Sequence, residues 1–137
     1  MRALILDNEA VQSLADVAHA EHRRVVAHLH GAVDRRRRGR STDAVVPTAV
    51  RVEAGWDRSR PGAAALNRFR VHDRELDEAS ANVAAGIISS GVVTSVADAH
   101  IGATARGLAA DDIVVLTSDP KDISAVCAPR SVRVVTI

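Results

Sequence analysis

Two unbroken apolar runs frame the chain. Ala3, Leu4, Ile5 and Leu6 follow one another without a polar break and stop on Asp7; Ile113, Val114, Val115 and Leu116 lead through Thr117 and Ser118 to Asp119. Continuous apolar runs of this length, rather than alternating ones, suit strands buried on both faces, as in a parallel sheet covered by helices. In open α/β sheets, ligands bind beyond the carboxyl ends of the strands. Both runs therefore deliver an acid to the place where such folds carry chemistry.

The pattern between them alternates helix and strand. Residues 8–18 have helical spacing through Val11, Leu14 and Val17 or Ala18, with Asp7 or Asn8 as the cap. Residues 19–33 predict a second helix with Val25, Val26, Leu29 and Val33 as its stripe, and residues 35–40, RRRRGR, predict a helix end and loop. A short strand at 44–46 is closed by Pro47, and a helix follows at 48–58, with Val52 and Trp56 on one face and Ala49 and Glu53 on an adjacent one. Residues 63–69 read as a short helix or turn and 70–72 as an edge strand. A helix starting at 73 or 74 carries Leu76, Ala79, Val83, Ile87 and Ile88 as apolar positions and stops at Gly91. The next helix, 96–109, has Thr94 or Ser95 as its cap and is built of small residues that allow close approach. A strand at 113–117, a short helix at 118–125 and a strand at 132–137 complete the chain. The alternation predicts one α/β domain over residues 1–137, a parallel sheet with helices on both faces.

Composition narrows the function classes. An apolar share of 47% in 137 residues supports a real core. The only aromatic side chains are Trp56 and Phe69, which argues against a base-stacking platform of several rings. Net charge is +1, so polyanion binding would need local clustering. The run Arg35 to Arg40 is such a cluster; it reads equally as helix-end cations favoured by the dipole and as a phosphate-gripping edge. Cys127 stands alone, a small buried hydrophobe with no disulfide partner. The apolar start is too short for a signal peptide, and no stretch approaches the roughly 20 apolar residues of a membrane span. The expectation is a soluble, cytoplasmic protein.

Four carboxylates have a positional claim. Asp7 and Asp119 follow buried strands, Glu53 lies in the helix after the second strand, and Asp98 lies in the first turn of a helix. If the first strand is central, all four converge at one sheet edge. Two unit charges about 5 Å apart repel by on the order of 3 kcal/mol at an effective dielectric near 20. An acid cluster is therefore a poor stability device and calls for cations. Oxygen ligands without Cys or paired His select Mg²⁺ or Mn²⁺, and acid-only sites of that kind serve phosphoryl chemistry. Taken singly, Asp98 reads as a capping-box acid after Ser95, Asp119 as an N-cap before Pro120, and Glu53 as a surface acid. Only the set points to a site.

In these stretches the chain resembles the PIN domain, and within it the VapC-type ribonuclease toxins of bacterial toxin–antitoxin pairs. The resemblance runs through LILDNEA with Asp7, VPTAVRVEAGW with Glu53, SVADAHIGATA with Asp98, and VVLTSDPKDI with Asp119. It implies a three-layer α/β/α fold with a parallel sheet of five strands. It also implies a Mg²⁺- or Mn²⁺-dependent endoribonuclease, usually a homodimer, silenced by a VapB-like antitoxin whose tail occupies the active-site groove. Asp7, Glu53, Asp98 and Asp119 match the family's metal-binding acids, Thr117 its hydroxyl residue and Asp122 an auxiliary acid. The chain departs from the family at Asn8, where Thr or Ser is common, and at Glu9, where small residues are common.

Two other readings compete. A haloacid-dehalogenase-like phosphatase needs a second Asp two residues after the first, and here that residue is Glu9. A PIN-like module that binds RNA or a partner without cutting is opposed by the full acid set. His100 reads as a surface or packing residue, and Arg106, Arg130 and Arg133 as cations that nothing in the sequence selects for RNA or a partner.

Overall fold

The computed structural model describes residues 1–137 and is organised on a five-stranded, all-parallel sheet. The strands are β1 (Arg2–Leu6), β2 (Thr42–Pro47), β3 (Val71–Arg74), β4 (Asp112–Thr117) and β5 (Arg133–Thr136), in spatial order β3-β2-β1-β4-β5. The helices are α1 (Asn8–Ala15), α2 (His22–Arg37), α3 (Thr48–Ala54), α4 (Ala64–Asn67), α5 (Glu78–Ser89), α6 (Val96–Gly107) and α7 (Pro120–Cys127). From β1 to β3 the chain steps one way across the sheet; from β3 onward it steps the other way. Helices α1, α2 and α4 pack as one group and α5 to α7 as another, with α3 touching both α1 and α6. The direction reverses between the neighbours β1 and β4, so the crevice beyond their carboxyl ends is the switch point of the fold. Asp7 and Asp119 stand there because the two apolar runs are the two central strands.

Burial explains the uninterrupted apolar pattern. Leu4, Ile5, Leu6, Val114, Val115 and Leu116 are all buried within one continuous core. Helix α6 lies so close to its neighbours that a Cβ on Gly102 would meet the Val126 carbonyl oxygen at 2.6 Å. No helix is long and apolar enough to cross a membrane.

Several local expectations need correction. The helix expected to end near Ala18 stops at Ala15, and the next runs from His22 through Arg37, so half of the arginine run is helical. Its buried stripe is Val25, Leu29 and Ala32, while Val33 is 37% exposed. The helix expected over 48–58 ends at Ala54, because Gly55 takes up a left-handed conformation (φ 69°). That early stop turns Trp56 inward and leaves Val52 82% exposed, so the two do not share a buried face. Trp56 is then held by its indole N–H, which donates to Asn67 at 3.1 Å. Helix α5 begins at Glu78, not 73 or 74, capped by the Asp77 carboxylate; the residues before it form the edge strand β3. Leu76 lies outside the helix and is 39% exposed. His100 is fully buried, its Nδ1 accepting from the Ala49 amide at 3.3 Å, which is packing and not surface.

Candidate metal site at the carboxyl edge of the sheet

Asp7 is fixed by three elements at once. Its amide donates to the Leu116 carbonyl, extending the β1–β4 ladder by one residue. One carboxylate oxygen accepts from the Ala10 amide at 2.9 Å and caps α1. The residue is 7% exposed. Burial pushes its carboxyl above the usual range, against the Thr117 hydroxyl and the Ala10 and Ser118 amides, which favour the charged form. Thr117 is fully buried and links two acids, since its hydroxyl bonds the Asp7 carboxylate and its oxygen accepts from the Asp119 amide at 2.9 Å.

Asp119 caps α7 through an oxygen that accepts from the Asp122 amide at 3.3 Å, with Pro120 at the first helical position. Asp98 sits in the first turn of α6, where its amide donates to the Ser95 hydroxyl at 3.2 Å. Its carboxylate makes no return bond to Ser95, so the capping box is only half formed and the acid is free for other work. The Asp98 carboxyl is pushed up to about 6, first by burial and then by the negative charges of Glu53, Asp7, Asp119 and Asp122. Glu53 is carried by α3. It is exposed, and one of its oxygens accepts from the Asn8 amide at 3.0 Å; Asn8 in turn accepts from Gln12 at 3.3 Å.

The five acids thus stand at one sheet edge, and Asp98 lies in the field of the other four. No arginine, lysine or histidine forms an ion pair with Asp7, Glu53, Asp98, Asp119 or Asp122, although the ion pairs elsewhere engage six other acids: Glu9, Glu21, Asp57, Asp73, Asp111 and Asp112. At the same time no three His, Cys, Asp or Glu side chains stand close enough together to cage an ion. Asp7 and Asp119 each hold one oxygen toward a helix amide, and Glu53 is drawn toward Asn8. The oxygen-only donor set and its uncompensated charge fit a hard divalent cation, while the side-chain positions do not form a finished cage.

The remaining candidates have other duties. The Glu9 carboxylate lies 2.7 Å from His19 Nε2, although its charge still acts on Asp7. Arg106 donates to the Val126 carbonyl, Arg130 to the Ala110 carbonyl and Arg133 to Asp112, so all three are engaged within the fold. Asn8 was an auxiliary candidate from its place after Asp7, but its bond to Glu53 across 45 residues has no signal in the sequence.

No known family profile matches the chain, and no curated protein matches it in sequence. Among solved structures, VapBC2 from Rickettsia felis, in a crystal structure bound to a DNA fragment from its promoter, is similar in fold. The TM-score is 0.60 at 10% sequence identity, over 98% of each chain. The expected three-layer, PIN-like α/β/α architecture with five parallel strands is therefore the observed one.

Proposed function

We propose that the protein is a Mg²⁺- or Mn²⁺-dependent endoribonuclease of the VapC type, the toxin of a toxin–antitoxin pair. The observation that carries this reading is the unpaired acid set at the switch point, with the Asp98 carboxyl pushed up to about 6 by burial and then by its acidic neighbours. Likeness of fold to a VapBC2 structure supports it. In this reading Asp7, Asp98 and Asp119 hold the metal, with Asp122 at its margin. The bound ion supplies a Lewis acid and an acidified water. The Thr117 hydroxyl keeps Asp7 charged and ties it to Asp119. Glu53, with one oxygen fixed by Asn8, keeps the other to orient the attacking water and take its proton. In-line attack would leave a 5′-phosphate and a 3′-hydroxyl.

The partner in this reading is a VapB-like antitoxin, and the toxin itself is a homodimer. An apolar trough of about 650 Å³ adjoins Glu53, lined by Val52, Leu76, Val96 and Ala97 among others. Val52 is 82% and Val96 55% exposed, so the trough suits an apolar segment of a protein partner lying beside the acids.

The test is cleavage of RNA by purified protein freed of any partner, with Mn²⁺ or Mg²⁺. Asp7→Asn and Asp98→Asn are each expected to abolish cleavage, with circular dichroism unchanged. Metal-dependent cleavage that persists in both would exclude this site. The absence of a closed cage favours one second reading, a PIN-like module that binds RNA or a partner without cutting. It predicts no divalent-ion binding by calorimetry in the wild type. The phosphatase reading loses further ground because Glu9 is turned to His19.

A further inference from the structure

We propose that a second trough, at the opposite end of β2 from Glu53, grips one nucleotide of the RNA strand outside the cleavage site. The choice of RNA as occupant rests on the function proposed above. The trough, about 420 Å³, lies between the second half of α2 and the segment before β3. Its floor is apolar, with Leu29, Ala32 and the half-buried Phe69; its rim carries Arg36, Arg68, Arg70 and His30, and no carboxylate lines it.

The rim cations have no counter-charge in the protein. Arg36 donates from Nε to the Thr42 carbonyl at 2.6 Å, which fixes the stem and leaves the two terminal nitrogens without a partner. Arg68 and Arg70 are exposed and enter no ion pair, whereas Arg51 and Arg58, nearby in sequence, share Asp73. Arg40 stands beside Arg36 in an adjoining cavity that Asp43 also lines, though Asp43 forms no ion pair with either. The dipole of α2 accounts for Arg35, Arg36 and Arg37 in its last turn. It does not account for Arg68 and Arg70, which belong to a different part of the chain.

Three unpaired guanidinium groups held around one hollow repel one another, and a ligand with negative oxygens relieves that. Arginine forks match phosphate oxygens two at a time. An apolar floor beside them selects a ligand with an uncharged flat part, and one ring is enough for one base. A nucleotide has both parts. A strand whose scissile phosphate lies at the acidic edge reaches this trough only by running several nucleotides along the molecule. The site therefore acts on long RNA and not on short RNA.

The experiment is fluorescence anisotropy with a labelled 20-nucleotide single-stranded RNA of mixed sequence. It uses the Asp98→Asn protein in chelator, so that neither metal nor cleavage enters the result. Arg68→Ala with Arg70→Ala is expected to weaken binding at least about fivefold and to lower the slope of log K against log salt by about 1.4, two phosphate contacts' worth. Phe69→Leu is expected to weaken binding about fivefold with the slope unchanged. Unchanged affinity and slope in the double variant would overturn the proposal. So would a loss seen equally with polyacrylate, a polyanion without bases, together with a neutral Phe69→Leu. On the otherwise wild-type protein, the double variant should cut a short RNA at the normal rate and a long one more slowly. Inactivity of the wild type would count against the nuclease reading alone, since the binding result stands without it.

Discussion

At Asp98 the fold carries a charge that it does not neutralise. Its carboxyl titrates near 6, against an ordinary value of 3.8, so the folded protein binds a proton there that the unfolded chain releases. Stability from this residue is therefore fully present below about pH 4 and is lost as pH rises through 6. Asp98→Asn removes the charge. In chelator the variant should equal the wild type near pH 3.5 and exceed it by about 1–2 kcal/mol at pH 8, after allowance for partial solvent screening. Urea unfolding at the two pH values checks this. Adding Mg²⁺ at pH 8 should stabilise the wild type and leave the variant nearly unmoved, by linkage of binding to folding. A variant less stable than wild type at pH 8 would mean that the charge is paired in solution. Half of this site was legible in sequence. Asp7 and Asp119 announce themselves by ending buried runs, whereas Glu53 and Asp98 had a claim only as members of the set, since singly they read as a surface acid and a capping acid. The reach of each side chain was not legible at all, because capping amides and Asn8 draw the oxygens apart.

Elements show where pattern alone misleads. Helical spacing paired Val52 with Trp56, but a single glycine at φ 69° ended the helix between them. Periodicity cannot see a stop of one residue; the left-handed requirement at Gly55 can. The small residues of α6, in contrast, were read correctly as a sign of close approach. Gly102 is the tightest point, where an added Cβ would lie 2.6 Å from the Val126 carbonyl oxygen and 2.9 Å from Ile87 Cδ1. The Ile87 side chain can swing aside, but the Val126 carbonyl belongs to the backbone of α7 and is also held by Arg106. Gly102→Ala gains helix propensity of up to about 1 kcal/mol and loses more by displacing α7. A net destabilisation of about 1–3 kcal/mol is expected in urea unfolding. Because α7 carries Asp119 at its cap, the same variant should weaken divalent-ion binding, read by calorimetry. A variant as stable as wild type would show that α6 and α7 are free to separate.

The molecule as a whole is polarised along its strands. Uncompensated acids collect at the carboxyl end of the sheet and unpaired arginines around the start of β2, while Asp112 ties Arg2 and Arg133 together at the amino end of β4. A net charge of +1 hides this separation, which is why composition excluded polyanion binding except by local clustering. The exposed apolar side chains are also unevenly placed, with Val52, Leu76 and Val96 around the trough beside Glu53. None of these three supports the core to any great extent, since Val52 is 82% and Val96 55% exposed. Val52→Asp should therefore cost the isolated fold less than about 0.5 kcal/mol. If the proposed function holds, it should nevertheless weaken association with the antitoxin by tenfold or more, because a buried, unpaired carboxylate at a partner interface costs at least about 1.4 kcal/mol. Co-expression of each form with the antitoxin that the proposed function requires, followed by affinity capture and thermal melting of the recovered protein, separates the two effects. Undiminished capture of Val52→Asp would mean that the trough is not where the partner lies. Loss of capture with an unchanged melting temperature would place an apolar partner segment next to the acids, where it stands between them and RNA.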